Sequence, residues 1–500
     1  METVVEFRTG TGVGVEKPYE GYRRFSIPTQ AAPPRKEQPY PFWPTVGRLG
    51  LAETLLKEIF HYGFNLLKSK YRAVVASRPC IYGVFSGPVG GFAPIREKCT
   101  GCMRCAQQYP EFCRVDRNPA FFRVADSYWM PKDPATSATT NAATVWHEAA
   151  TGKILVKGMG YKGGFGGRGW DAIWTDMSEI VRPTRDGVYG REYISTLVDL
   201  GRKPKYLEFE GGFVKKASRL VSVEIPVIFD YLPDHLSCPS VLESVARAAQ
   251  AVPAYFVATP AQVRHLPEAL RRRWVPLVSS KDFNQYDFSL RQAELIELAE
   301  TNESLIEALR KINYHAPLAA RIPLTRGAAS LAVELARLDV DIIHLSANYH
   351  GQGRDPDNAM FSGELIRHVH QALVKAGLRD QVTLIGSGGI TLVEHVPKAI
   401  ICGLDAVAID TTVLVALQMD FEGECVSEIA GRIRPERFDP SWGRRRLVNL
   451  LASWHYQIIE ILSAMGMRDI RRLRGDVGRA IFQEEMERLL FGDISNANGT

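Results

Sequence analysis

From about residue 206 the chain alternates short, β-branched apolar runs with longer stretches whose apolar residues recur every three or four positions. The runs are Val221–Ile228, Ala254–Val257, Trp274–Val278, Leu295–Leu298, Leu318–Ile322, Ile342–Leu345, Val382–Ile385 and Ala406–Ile409. Helical patterning fills Val241–Ala249, Ala261–Arg272, Ala328–Leu338 and Glu364–Ala376. Strands buried on both faces need continuous apolar runs of this kind, and eight of them alternating with helices predict an α/β fold closed as a (β/α)8 TIM barrel. A doubly wound sheet is the alternative, and the fourth run reads equally well as helix. The tail from Arg444 to about Leu490 is expected to be helical and packed outside the barrel.

The pattern before residue 206 is different. Residues 1–45 are rich in Pro and Gly and read as an extended arm, and a one-sided helix follows with Leu51, Leu55, Ile59, Tyr62 and Leu66 on its apolar face. Three segments result: an arm and amphipathic helix over 1–79, a ferredoxin-like and connecting segment over 80–205, and the barrel with C-terminal helices over 206–500. An arm of this composition buries little of its own surface, so it is expected to bind a partner subunit through Tyr40, Phe42 and Trp43, with wrapping on its own barrel as the alternative.

Within the second segment four cysteines fall in fifteen residues: Cys99, Cys102, Cys105 and Cys113. Cys-x2-Cys-x2-Cys spacing lets a short loop carry three thiolates to three irons of one 4Fe-4S cluster. The position of the usual fourth ferredoxin cysteine is Tyr109, before Pro110. A single cluster is therefore expected, with Cys113 as fourth ligand and Cys80 in reserve. Zinc is the competing occupant, although zinc sites usually pair two separated arms. Farther on, Gly164, Gly166 and Gly169 outline a dinucleotide fingerprint, but no helix opens at the third glycine, and a connecting loop is the better reading.

Composition narrows the field. The net charge of +5 is the small difference between 61 basic and 56 acidic residues, with no long basic run, which argues against nucleic acid as a partner. Scattered cysteines at 238, 402 and 425 fit a reducing, cytoplasmic setting. No signal peptide is expected at the N-terminus, and no apolar run is long enough to span a bilayer.

Active sites of such barrels lie at the C-terminal ends of the strands, and the last two loops often bind phosphate. Strand seven ends in Gly386-Ser387-Gly388-Gly389, strand six leads into a loop with Gly351 and Gly353, and strand eight ends in Asp410-Thr411-Thr412. Gly and Thr suit a phosphate; the carboxylate of Asp410 opposes one. Arg321, near the end of strand five, is a candidate cation beside a flavin, or else a salt-bridge partner inside the barrel.

These features resemble the synthase part of the FMN-dependent glutamate synthase family, in its compact type with a ferredoxin-like segment before the barrel. The residues that carry the likeness are Thr151-Gly-Lys-Ile-Leu-Val-Lys-Gly-Met-Gly160, Glu224-Ile-Pro-Val-Ile228, Ala246-Arg-Ala-Ala249, Leu384-Ile-Gly-Ser-Gly-Gly-Ile390 and Leu404-Asp-Ala-Val407, within roughly residues 95–475. The resemblance implies FMN on the barrel, electrons passing from the cluster to the flavin, and reduction of an imine formed from 2-oxoglutarate and ammonia. It also implies a small-molecule substrate, a protein electron donor or partner subunit, and an oligomer.

Several departures point toward a degenerate barrel that serves as an electron-transfer or scaffold subunit. The family's Gly-Glu-Gly-Gly loop is Ala258-Thr-Pro-Ala-Gln262 here. Its Ile-Glu-Ile-Lys strand is Ile296-Glu-Leu-Ala299, without the lysine. Its three-cysteine barrel cluster is reduced to Cys425, with Met419 and Ala430 at the other expected positions. Glu2 follows Met1, so no N-terminal cysteine nucleophile of a glutaminase is expected.

Overall fold

The computed structural model describes residues 25–36, 40, 42–46, 80, 82–85, 94–99, 101–108, 110, 113–118, 141–154, 169–175, 193–206, 209–214, 218–281, 287–355, 360–422, 432–434 and 436–482. The expected helix over 51–75, Tyr109, Gly164, Gly166, Cys425 and Ala430 lie outside these residues.

Eight parallel strands close into a barrel: β1 (Val227–Phe229), β2 (Phe256–Ala258), β3 (Trp274–Val278), β4 (Ile296–Leu298), β5 (Leu318–Pro323), β6 (Ile342–Ser346), β7 (Thr383–Ser387) and β8 (Ala406–Ile409). Every predicted run supplies one strand, including the ambiguous fourth. Ile296 pairs with Leu318 and Leu298 with Ala320, which fixes that run as strand. The first run is corrected. It breaks at Pro226 into two pieces: Arg219–Val223 leaves the barrel to pair antiparallel with Val198–Arg202, and only Val227 onward joins β8. Proline cannot donate to a ladder, which accounts for the break.

The outer ribbon covers the end of the barrel where β7 begins. The Gly201 amide donates to Thr383 Oγ1 at 3.0 Å, and a Cβ on Gly201 would stand 2.0 Å from the Arg219 carbonyl oxygen. Only glycine permits that approach. The expected helix over Ala261–Arg272 is also corrected. A short turn, Pro260–Val263, and a single 3-10 turn, Glu268–Leu270, replace it, because Pro267 interrupts the helical ladder.

Four helices frame the barrel on the side of the arm and the strand-eight end: α1 (Asn141–Thr151), α2 (Pro239–Ala251), α3 (Thr411–Ala416) and α4 (Pro440–Ala464). The long α4 packs against α1 and α2, so α1, which precedes residue 206, lies on the barrel body. Beyond Ala464 the predicted helical tail gives way to 3-10 turns and to a strand, Ala480–Phe482, paired with Ile173–Thr175. Gly466, at φ +67°, turns the chain there.

Residues 25–36 of the arm lie on their own chain. The buried Arg446 on α4 donates to the carbonyls of Ala32 (2.9 Å), Trp146 (3.3 Å) and Ala416, tying the arm, α1 and α3 to one guanidinium. Trp442 Nε1 reaches the Pro33 carbonyl at 2.9 Å. Burial, reinforced by Arg35, lowers the Arg446 pKa to about 9, and the three carbonyls supply the compensation a desolvated cation needs. Of the aromatic anchors, Phe42 is buried, whereas Tyr40 and Trp43 are exposed. Among the described residues no helix is long and apolar enough to cross a membrane.

Candidate functional site

The cysteine segment is built from turns that L-residues rarely adopt. Cys99 follows the 3-10 turn Arg96–Lys98, and Gly101 (φ +69°) and Met103 (φ +59°) curl the loop back before Cys105 enters the short helix Arg104–Gln108. A Cβ on Gly101 would fall 2.2 Å from the Phe42 ring, so glycine allows Phe42 to seal the loop. Cys113 opens the strand Cys113–Arg117, which pairs antiparallel with Phe42–Val46 of the arm.

The structure therefore brings together Cys99, Cys102, Cys105 and Cys113, and adds Cys80, whose charge is felt at both Cys99 and Cys113. All five thiols are free. Burial pushes the Cys99 thiol up to about 12. The hydrogen bond between Cys105 and Cys113 raises the first and lowers the second. Among the described residues no three cysteine sulfurs lie within 4.8 Å of one another. Tetrahedral zinc, with Zn–S of about 2.3 Å, needs sulfurs about 3.8 Å apart.

At the C-terminal end of the barrel the chemistry is of another kind. Arg321 on β5 reaches across to Asp230, directly after β1 on the opposite side of the ring: Nη2 binds Oδ1, and Nη1 stands 3.4 Å from Oδ2. Its Nε donates to Glu297 Oε1 on β4 at 2.9 Å, and His344 Nδ1 on β6 meets the same oxygen at 2.8 Å. Burial opposes charge on both carboxylates. Arg321 and His344 outweigh it, holding Asp230 at about 2 and Glu297 below its usual range, while the same pairs raise Arg321. Of the two sequence readings of Arg321, the geometry shows the internal salt bridge. His344 Nε2 is buried and has no hydrogen-bond partner among the described residues.

The predicted phosphate loops lie beside this network and pack on one another. A Cβ at Gly386 would stand 2.5 Å from Leu404, one at Gly388 2.5 Å from the Asn348 carbonyl oxygen, and one at Gly389 2.4 Å from the Gly351 Cα. Gly353 is confined by Leu365 in the same way, at 2.4 Å. The Ser387 carbonyl accepts from the Ala347 amide at 2.9 Å. Thr411 donates its amide and, at 3.0 Å, its hydroxyl to Asp410 Oδ1. Asp410 and Asp230 end neighbouring strands, with the Asp230 amide on the Ile409 carbonyl at 2.9 Å. Burial, then the Asp230 charge, push Asp410 up to about 6. As arranged, this face does not fit the phosphate of a flavin: its cation is neutralised from two sides, Thr411 serves a carboxylate, and that carboxylate carries no cation.

Sequence reasoning missed a third cluster. Asp171, Glu394 and His395 bring one ligand atom each within 4.8 Å of one another. His395 Nδ1 accepts from the Thr391 amide at 3.2 Å, so Nε2 carries the proton toward Asp171 at 3.4 Å, and Lys398 Nζ binds the Trp170 carbonyl nearby at 2.9 Å. Burial lowers the His395 pKa against the pull of Asp171. A protonated Nε2 and an adjacent ammonium suit an anchor for Gly169–Ala172 better than a cation site. The partners are 224 residues apart, and no local pattern announces them.

A family model described as a conserved region in glutamate synthase matches residues 291–468. An archaeal-type glutamate synthase [NADPH] of Dehalococcoides mccartyi is 24% identical over 444 residues, 76% of this chain and 86% of its own length. The corresponding protein of Thermotoga maritima is 26% identical over 84% of this chain and 94% of its length, and that of Methanocaldococcus jannaschii 27% over 67% and 79%. Among solved structures, a mandelate oxidase variant aligns with TM-score 0.39 at 16% identity, covering 68% of this chain and 90% of the oxidase. A flavocytochrome b2 variant aligns at 0.42 and 12%, covering 75% and 87%. The barrel assignment rests on the strand order, not on these two alignments. Residues 291–468 thus match a conserved region of glutamate synthase, and the chain is similar to archaeal-type glutamate synthases over most of its length.

Proposed function

We propose that the chain is an electron-transfer subunit of a glutamate synthase-type oxidoreductase. The segment from Cys99 to Cys113 holds one 4Fe-4S cluster, and the barrel is the body that presents it to a partner subunit. The observation that carries this reading is the salt bridge between Asp230 and Arg321, which crosses the barrel from β1 to β5 and uses the charge that a flavin would otherwise meet.

Cys99, Cys102, Cys105 and Cys113 would be the ligands, with Cys80 the alternative fourth. Free thiols with no disulfide among them, at Cys-x2-Cys-x2-Cys spacing, are the donor set a cluster needs. When bound, the cluster supplies one-electron storage. The chain's own residues do the rest. Phe42 excludes water from the loop, and Gly101 and Met103 set the backbone that aims the sulfurs. Arg96, Lys98 and Arg104 are exposed beside the cysteines, with Glu97 the acid among the described residues 94–108, which favours an acidic electron donor whose approach slows with added salt.

Iron and acid-labile sulfide in anaerobically purified protein test the reading, and about four of each per chain are expected. Protein that holds zinc instead would overturn it. A flavin-bearing synthase is the second reading. It is favoured by Arg321 at the C-terminal face and by relatives named as NADPH glutamate synthases over most of the chain.

A further inference from the structure

We infer that Asp410, beside Asp230, is the residue that bars phosphate-bearing ligands from the mouth of this barrel, so that the chain selects against FMN by charge while keeping the barrel itself intact. The inference rests on the proposed function, in which the mouth is not a flavin site, and names the group responsible.

The geometry is local and specific. Asp410 and Asp230 follow the paired ends of β8 and β1, so two carboxylates sit side by side at the rim. Arg321 is the cation on Asp230, and Glu297 shares that cation from the other side. Asp410 accepts from Thr411 and from its own backbone amide, and no salt bridge reaches it among the described residues. It is nonetheless buried, with 8% of its surface exposed. A desolvated carboxylate is the feature an incoming phosphate dianion meets most unfavourably, since charge repulsion grows as the local dielectric falls. The group lies next to the loop that would have to cradle that phosphate: Thr412 Oγ1 donates to the Ile390 carbonyl at 2.7 Å, joining the strand-eight end to the strand-seven loop. Burial and the neighbouring Asp230 charge push the Asp410 pKa up to about 6. Loss of the barrel does not explain the absence of a phosphate cradle, because all eight strands and their register are present. Among the features that oppose a phosphate at this face, Asp410 is the one that acts by its own charge.

The test compares FMN with riboflavin, which has the same ring and no phosphate, by titration of the full-length protein followed by flavin fluorescence at neutral pH. Wild type, Asp410→Asn and Asp410→Gly are measured. Asparagine keeps the shape and the acceptor oxygen, so it retains the Thr411 contacts if the glycine variant fails to fold. Wild type is expected to bind FMN no more tightly than riboflavin. Asp410→Asn is expected to tighten FMN by about tenfold or more while moving riboflavin by less than about threefold. Wild type that strongly prefers FMN would overturn the inference. So would variants that leave FMN binding where it was, or that improve both flavins equally. Iron and sulfide content, measured on the same samples, reports on the cluster separately. A failed flavin result with normal iron removes only the role of Asp410; absent iron removes the electron-transfer reading whatever the flavins do.

Discussion

The cysteine segment and the barrel mouth are both concentrations of chemically capable side chains, and they differ in whether those side chains satisfy one another. Five thiols converge with no disulfide among them, under the ring of Phe42, and burial raises Cys99 far above its usual range. At the mouth, Arg321, Asp230, Glu297 and the Nδ1 of His344 complete one another, while His344 Nε2 has no partner among the described residues. Donors gathered without being bonded into disulfides point to a guest that completes them. Donors that already complete one another point to a site that has lost its guest or closed against it.

The largest expected effect breaks the first half of the comparison. Cys102→Ser should abolish bound iron, and unchanged iron and sulfide would remove the cluster from this segment. Cys113→Ser and Cys80→Ser together decide the fourth ligand: loss of the four-iron form in the first alone assigns Cys113, and loss in the second alone transfers the role to Cys80.

The mouth comes next. Asp230→Ala leaves Arg321 buried against Glu297 alone and should cost about 3–5 kcal/mol in denaturant unfolding, the range for stranding one partner of a buried pair. A loss below about 1 kcal/mol would mean the cross-barrel bridge does not hold the mouth shut.

A pH series sharpens the same point. The folded acidity of Asp410 is raised to about 6, above the ordinary carboxyl value, so the folded protein holds its proton more tightly than the unfolded chain does. The stability this contributes is fully present below about pH 4 and is lost as the pH rises through about 6, a change of about 2–3 kcal/mol. Asp410→Asn should therefore gain stability relative to wild type over that window. Parallel pH curves for the two proteins would contradict the assignment.

The smallest effect is a control outside both regions. Trp442→Phe removes one hydrogen bond to Pro33 and should cost about 1 kcal/mol, with iron content unchanged.

The barrel was legible because each strand is a short apolar run and period is a local property; even Leu295–Leu298, ambiguous alone, is settled by its neighbours. Proline marked two of the places where local reading failed, Pro226 inside a presumed strand and Pro267 inside a presumed helix. The cysteine loop was legible for the same reason, since its spacing is local. Arg321 was visible as a candidate, but its partners lie 91 and 24 residues away, and only closure of the ring shows that its charge is already used. The glycines at 351, 388 and 389 were read as openings for phosphate, yet two of these loops pack backbone to backbone, a contact no sequence pattern encodes. The contact that holds residues 25–36 was not legible either: Arg446, more than 400 residues away, binds the Ala32 carbonyl.

The most direct test of the central claim is the absorption spectrum of anaerobically purified, full-length protein before and after reduction. The account predicts the broad shoulder of an iron–sulfur cluster that bleaches on reduction, with no resolved flavin bands. Flavin bands in stoichiometric amount, or a spectrum with no iron–sulfur absorption at all, would contradict it.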